Sequence, residues 1–346
     1  MKKLTTTTIF LLLTCLWMRG LAQSQNAVPL FQSDEILKMT IKTEMRNLLR
    51  DRGDERDYHE GVLIYEQEGV ETSLPVELRI RGNFRRKKST CQFPPIRLKF
   101  DSAKVSNSLF ADQDKVKLVT HCQSRKAEYQ QYLLKEYLVY KMYNQLTDTS
   151  FRVRMMEITY IDTGKKPDTL HRYGFVIEDE DHLAARLGGK GLEVPNIHPD
   201  RTDYKLINTL SVFEFMIGNT DFSVPGLHNI KLIMTEPGKP PLAVPYDFDW
   251  SGLVRAPYAQ PNESLGIRNV RVRLFRGFCR TEEEFEETFQ IFRDNKNAIL
   301  GLFRNLEMLD PDVRDDCIQY LEEFYETIND PQKVKRNFLD MCRTDK

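Results

Sequence analysis

The sequence predicts an α+β protein of two closely packed lobes, an N-terminal lobe of antiparallel strands with one helix and a mainly helical C-terminal lobe. Between residues 61 and 101, apolar and polar side chains alternate, most strictly over 76–80 and 96–100, as in half-buried strands. From residue 203 onward, apolar residues recur at helical spacing instead. No internal repeat and no Ser/Gly-rich linker separates the halves, so we expect the two lobes to be in contact.

Composition and charge limit the classes of function. The chain has 346 residues, of which 40% are hydrophobic and 29% charged, and this excludes multi-span membrane proteins and largely disordered ones. The net charge is −1, so there is no overall excess of positive charge. We therefore expect no nucleic-acid partner, and any function of basic residues must be local.

The N-terminus has the features of a secretory signal peptide. Lys2 and Lys3 precede an apolar run over residues 9–17, and the small residues Gly20 and Ala22 fit a cleavage site. The apolar run is shorter than the roughly 20 residues of a membrane-spanning helix, so we expect no permanent membrane span. We predict a leader over 1–22, the β-rich lobe over 23–177, the helical lobe over 178–346, and a periplasmic or secreted location.

The cysteines fit an exported chain. Removing the leader leaves five of them, an odd number, so at least one thiol stays unpaired in an oxidising compartment. Cys91 precedes a predicted strand and Cys122 a predicted helix, and the two form either a disulfide bond or a pair of buried thiols. No CxxC, CxxH or HExxH spacing occurs, so the sequence does not support a zinc site.

A basic turn and a helix each carry a candidate functional residue. Residues 81–88 carry five positive charges, including Arg81 and Arg85, and form either a solvated hairpin tip or a cluster that meets an anion such as phosphate. Over residues 124–146 the apolar spacing predicts a helix, with Glu136 on its aromatic face. A buried carboxylate there requires a cationic partner, whereas at the edge of the face it would reach water.

The C-terminal half brings further acidic residues together. A buried helix over 203–217 ends at Gly218 and leads into a loop that contains Asp221. Asn229 then opens a predicted hairpin, and Asp247 and Asp249 follow its second strand. A hairpin makes the residues before and after its strands neighbours, so we expect these side chains to lie close together. Phosphoryl transfer requires carboxylates that hold Mg²⁺, cations that hold the phosphates, and a group that accepts the proton of the attacking hydroxyl.

This order of elements is similar to that of the protein-kinase-like fold. Three segments, over residues 81–83, 218–229 and 244–249, resemble the motifs of the CotH-like (spore-coat-protein-H-type) secreted kinases, and the match spans residues 60–255. The segments 91–95, 135–140 and 245–252 also resemble those of uncharacterised exported bacterial proteins.

The resemblance implies a role for each matched residue. Asp221 would be the catalytic base, and the metal ligands would be Asn229, for which Asn219 or His228 could substitute, with Asp247 or Asp249. Lys99 would contact the phosphates and pair with Glu136, while Arg81 and Arg85 would border the nucleotide. The implied cofactors are Mg²⁺ or Mn²⁺, with ATP as the donor.

Three functions remain open at this stage. The first is an exported atypical kinase that transfers a phosphoryl or nucleotidyl group from a nucleotide to a protein hydroxyl with Mg²⁺. The second is a non-catalytic kinase-like scaffold or surface-binding protein of the cell envelope, where ATP is scarce. The third is a hydrolase in which Asp221, Asp247 and Asp249 hold two metal ions.

Overall fold

The computed structural model describes residues 28–67 and 69–344, and the predicted leader lies outside them. The described chain mixes helices and strands, which confirms the predicted α and β content. None of the helices in this part of the chain is long and apolar enough to cross a membrane.

Seven strands form a closed barrel. They are β1 (Leu37–Thr43), β2 (His59–Gln67), β3 (Val70–Ile80), β4 (Ile96–Lys99), β5 (Lys115–Val119), β6 (Val153–Asp162) and β7 (Asp168–Ile177), in the order β1-β2-β3-β4-β5-β7-β6. β1 closes the barrel by pairing in parallel with β6, while the other neighbours are antiparallel. We expected a purely antiparallel lobe, and the parallel pair of β1 with β6 corrects this expectation. That pair closes the barrel and so removes the open edges that an antiparallel sheet would leave.

The barrel is held by its apolar interior and by a disulfide bond. Alternate residues of the strands, such as Leu63, Leu78 and Leu98, are buried inside it. Two short helices, α1 (Met45–Arg50) and α2 (Ser102–Val105), connect strands. The bond between Cys91 and Cys122 joins the β3–β4 loop to the segment after β5, so the disulfide alternative is confirmed.

The helices share a core with part of the barrel. They are α3 (Glu128–Leu146), α4 (Glu180–Arg186), α5 (Tyr204–Ile217), α6 (Glu282–Asn305), α7 (Pro311–Ile328) and α8 (Pro331–Val334). Short 3₁₀ turns lie at Pro29–Phe31, Pro199–Arg201 and Glu263–Leu265, and a π turn at Lys335–Leu339. α3, which we assigned to the β-rich lobe, packs on α6, and one apolar cluster contains residues of α3, α5, α6 and strands β5–β7. The two halves are thus not clearly separate lobes.

The helix and hairpin that carry the acidic residues form as expected. The side chain of Asp203 accepts the N–H of Leu206 at the start of α5, and Gly218 ends the helix at φ +67°, where an added side chain would clash with Tyr320. β9 (Ile230–Met234) and β10 (Leu242–Pro245) form the predicted hairpin, and β8 (Lys190–Gly191) pairs with β9.

The remaining cysteines agree with the odd count. Cys279 and Cys342 form a second disulfide bond, and Cys317 is a buried free thiol. Burial raises the pKa of Cys317 to about 11, which keeps it protonated and inert at neutral pH.

Candidate functional site

One buried arginine joins three segments of the chain. Arg85 lies in the basic turn between β3 and β4, but its side chain points inward instead of into solvent. Its guanidinium lies 3.1 Å from Oε2 of Glu136 on α3, 2.9 Å from Oδ1 of Asp247 and 3.3 Å from Oδ2 of Asp249. This Arg85 network answers the question that the sequence left open for Glu136, because the buried carboxylate has a cationic partner.

The Arg85 network carries more negative than positive charge. Burial raises the pKa of both Asp249 and Glu136, and Arg85 opposes this shift. Burial lowers the pKa of Arg85. The surrounding carboxylates, of which Asp249 has the larger effect and Glu136 the next, outweigh burial and hold that pKa well above the usual range. One guanidinium cannot neutralise three carboxylates, so the network favours a bound proton or a further cation.

Asp247 and Asp249 differ in what they can reach. The side chain of Asp247 is 38% exposed, and its backbone N–H donates to the hydroxyl of Tyr140 at 2.8 Å. Its φ of +63° lies in the left-handed region, which a non-glycine residue adopts at a cost. Asp249 is buried and accepts a hydrogen bond from the hydroxyl of Tyr258 at 2.8 Å. Of the two, Asp247 is the one that can contact a ligand.

Asp221 lies in a second cluster at the start of the hairpin. Its Oδ1 is 2.8 Å from Nε2 of His228, and its Oδ2 accepts from Nδ2 of Asn229 at 3.1 Å. Asn219 accepts the backbone N–H of Asp221 through Oδ1. The carbonyl of Asn229 accepts the N–H of Tyr246, the residue before Asp247. The hairpin thus brings the Asp221 cluster to the segment that holds Asp247, as the sequence predicts.

A cationic cavity of about 710 Å³ borders the barrel beside this segment. Arg81, Arg97 and Lys117 line it, and in the described part of the chain their side chains form no hydrogen bond or ion pair. Arg97 and Lys117 are paired positions of β4 and β5, and Arg81 interacts electrostatically with Asp247. Burial lowers the pKa of Lys117, and Arg81 lowers it further. The carboxylates of Asp179, Glu180, Asp181 and Glu193 line the same cavity, so its charge is mixed, but three cations without a direct partner are suited to an anionic group.

Acidic and aromatic side chains line the same cavity. Glu180 forms an ion pair of 2.6 Å with Lys231, and Asp179 lies beside it. The ring of Tyr246 lies 6.0 Å from Nζ of Lys117. The cavity therefore offers cations, hydrogen-bond acceptors and an aromatic ring within one space.

The predicted pair of Lys99 with Glu136 is wrong. Lys99 forms an ion pair of 2.7 Å with Glu77 on the neighbouring strand, and Arg85 takes the position beside Glu136. Lys99 does not line the cationic cavity, whereas Lys117 does. Our sequence interpretation did not identify β5, although the alternation Lys-Val-Lys-Leu-Val over residues 115–119 is a signal that could have revealed it.

The residues present fit a divalent metal that arrives with a phosphate. No three His, Cys, Asp or Glu side chains within residues 28–67 and 69–344 converge as a ready-made metal cage. Asp247 and Asn229 each retain a side-chain oxygen outside the contacts above. Mg²⁺ is usually bound through one or two protein oxygens, substrate phosphates and water, and Asp247 and Asn229 carry oxygens of the kind that it uses.

Comparisons with known proteins give little support beyond this geometry. No protein-family model matches the chain, and no curated protein matches it. The crystal structure of the Golgi casein kinase with Mn/ADP bound is similar at 10% identity and a TM-score of 0.30, covering 96% of this chain and 80% of its own. A second structure of the Golgi casein kinase has 11% identity and a TM-score of 0.31, with coverage of 93% and 78%. Similarity at this level does not define a shared fold.

Proposed function

We propose that the protein is an exported, kinase-like phosphotransferase of the CotH-like type that moves a phosphoryl or nucleotidyl group from a nucleotide such as ATP to a protein hydroxyl. The observation that carries the proposal is the set of three unpaired cations, Arg81, Arg97 and Lys117, in a cavity beside Asp247. The two disulfide bonds support an oxidising, exported location, in the periplasm or outside the cell.

The cationic cavity is the proposed nucleotide site, between the barrel half over 23–177 and the helical half over 178–346. Arg81, Arg97 and Lys117 would hold the phosphates, and the carboxylate of Asp179 could accept hydrogen bonds from sugar hydroxyls. Asp247 and Asn229 would hold Mg²⁺ or Mn²⁺, which would neutralise charge on the transferred group when bound. Asp249 and Glu136 would instead fix Arg85, and through it the position of Asp247.

Asp221 is the proposed general base. The oxygen of the acceptor hydroxyl would attack phosphorus, its proton would pass to Asp221, and the bond to the departing nucleotide would break. His228 and Asn229 hold both oxygens of the Asp221 carboxylate and would orient it. A separate cavity of about 610 Å³, lined by Asp221, His228 and Trp250, would receive the acceptor.

A direct test follows the γ-phosphate and the α-phosphate of ATP in parallel, because phosphoryl transfer leaves the first on the acceptor and nucleotidyl transfer leaves the second. The mature chain with Mg²⁺ should label an acceptor protein, or itself, and Asp221→Asn should abolish the labelling while nucleotide binding remains. Release of inorganic phosphate with no labelled acceptor would support the two-metal hydrolase instead. Binding of ATP with neither labelling nor phosphate release in any exported protein fraction would contradict the assignment.

The Arg85–Asp247 ion pair supports a second candidate, the non-catalytic scaffold. In the structure this pair occupies one oxygen of the carboxylate that would bind the metal. If the pair persists in solution, Asp247 would have a structural role only. In that case no nucleotide, with or without a divalent ion, should raise the melting temperature of the protein.

A further inference from the structure

A third cavity, of about 880 Å³, lies beside α3. It shares no lining residue with the cationic cavity, and it shares Gln260 and Val270 with the 610 Å³ cavity. Its walls come from α3, the segment over 255–260, the segment over 269–271 and the start of α7. The lining side chains that matter here are Tyr132, Lys135, Arg255, Arg271, Asp312 and Asp316.

Lys135 is the reason to expect a ligand in this cavity. The residue is only 5% exposed, yet within the described chain its ammonium group forms no hydrogen bond or ion pair. The ring of Tyr132 lies 5.0 Å from its Nζ. Burial lowers the pKa of Lys135 to about 8, with opposing effects from Cys317 and Asp316. A buried ammonium group without a counter-ion is costly, and a bound anion would remove that cost.

Two arginines line the same cavity, and one of them brings further uncompensated positive charge. Arg255 is exposed, adopts a φ of +53°, and its side chain forms no hydrogen bond or ion pair in the described part of the chain. Arg271 forms a two-pronged ion pair with Asp316 at 2.9 and 3.0 Å. The cavity therefore has two uncommitted cations, Lys135 and Arg255, against one uncommitted carboxylate, that of Asp312.

We propose that this cavity binds a phosphate group, either free or as the ester of a larger molecule. Lys135 and Arg255 would contact the phosphate oxygens from two different segments, while Arg271 stays paired with Asp316 in the cavity wall. A tetrahedral oxyanion accepts hydrogen bonds in several directions, so it can bridge two cations that a planar carboxylate would reach less well. The site is separate from the proposed nucleotide site, and it does not depend on catalysis.

The test is calorimetric titration of the mature chain with inorganic phosphate, without nucleotide or metal. Lys135→Met and Arg255→Gln should each weaken phosphate binding at this site by at least about tenfold, because each removes a charged hydrogen-bond donor. Arg268→Gln is the matched control, since Arg268 is exposed on the same surface region but does not line the cavity. Arg255 is exposed, so its variant remains informative even if the change at buried Lys135 prevents folding.

Lys117→Met separates this proposal from the nucleotide site. It should leave phosphate binding at the Lys135 cavity unchanged, even if it removes a second binding event. Glycerol 2-phosphate distinguishes the sources, because an ester that binds more tightly than phosphate points to a phosphorylated molecule, and equal affinities point to the free ion. Failure of phosphate to bind, or equal binding by wild type, Lys135→Met and Arg255→Gln, would overturn the proposal.

Discussion

Arg85 Nη2 donates a hydrogen bond of 2.9 Å to Asp247 Oδ1, and this contact joins the turn after β3 to the segment after β10. The same guanidinium holds Glu136 of α3, so one side chain connects three parts of the chain that are far apart in sequence. Because Asp247 is the partly exposed member of the network, it is where a ligand and Arg85 meet.

We predict that Asp247→Asn removes the dependence of nucleotide binding on Mg²⁺. Wild type should bind ATP at least about tenfold more tightly with Mg²⁺ than without, because the carboxylate completes the metal site, and the variant should lose this gain. Calorimetric titrations with and without Mg²⁺ measure it. Glu77→Gln is the control, since Glu77 pairs with Lys99 on the barrel and does not line the cationic cavity, so its loss should leave the Mg²⁺ effect intact. An unchanged Mg²⁺ effect in Asp247→Asn would exclude this role.

Asp221→Asn should reduce phosphoryl transfer without weakening nucleotide binding. Loss of a general base typically costs a factor of about 10²–10⁴ in rate. His228→Gln should cause a smaller loss, because His228 only orients the carboxylate at 2.8 Å. Initial rates and ATP affinities of the three proteins provide the comparison. Equal rates in wild type and Asp221→Asn would exclude Asp221 as the base.

Glu214, buried on α5 beneath the Asp221 loop, should make stability depend on pH. Burial raises its pKa to about 8, with a further contribution from Asp221. In the unfolded chain Glu214 ionises near pH 4.5, whereas in the folded protein it stays protonated up to about pH 8. Raising the pH from 4.5 to about 8 should therefore lower the free energy of unfolding of the wild type. Glu214→Gln does not titrate and should be more stable at pH 7.5, by a margin on the order of 3 kcal/mol.

Urea unfolding of both proteins at pH 4.5 and pH 7.5 tests this expectation. The advantage of Glu214→Gln should appear only at the higher pH. Parallel stability curves for the two proteins would show that Glu214 ionises as freely in the fold as in the unfolded chain.

Removing the disulfide between Cys91 and Cys122 should lower the free energy of unfolding by about 3–4 kcal/mol, since the bond closes a loop of 31 residues. The double variant Cys91→Ala/Cys122→Ala should also weaken ATP binding, because Arg85 lies in the same β3–β4 loop. Cys279→Ala/Cys342→Ala is the matched control, which should lose stability and keep its ATP affinity. Chemical denaturation and nucleotide titration of both variants distinguish the two effects. The same loss of ATP affinity in both would refute a local role for the first bond.

The sequence predicted the elements better than it predicted their partners. Local alternation and helical spacing identified β2, β3, β4, α3 and α5, because burial of one face imposes a period on the residues. The same alternation shows which face of β4 carries Lys99, but it does not show which carboxylate lies beside that lysine. The predicted ion pair of Lys99 with Glu136 was wrong for this reason. The parallel closure of β1 on β6 depends on contacts across more than 100 residues, which no local pattern encodes.

The cysteines show the same limit. An odd number of cysteines required a free thiol, and Cys317 is one, but parity could not select it or pair Cys279 with Cys342. Lys117 was missed for a different reason, because β5 is only five residues long and follows a turn-rich segment. Its alternating lysines became interpretable once the neighbouring strand placed Arg97 beside Lys117.

The measurement that tests the central claim most directly is the affinity of ATP with Mg²⁺ for Lys117→Met beside Lys99→Met. Both changes remove one lysine from the outer face of neighbouring strands, but only Lys117 lines the cationic cavity. The proposed nucleotide site predicts that Lys117→Met loses most of the binding and that Lys99→Met binds as wild type does. Wild-type affinity in Lys117→Met, or a loss confined to Lys99→Met, would contradict the account.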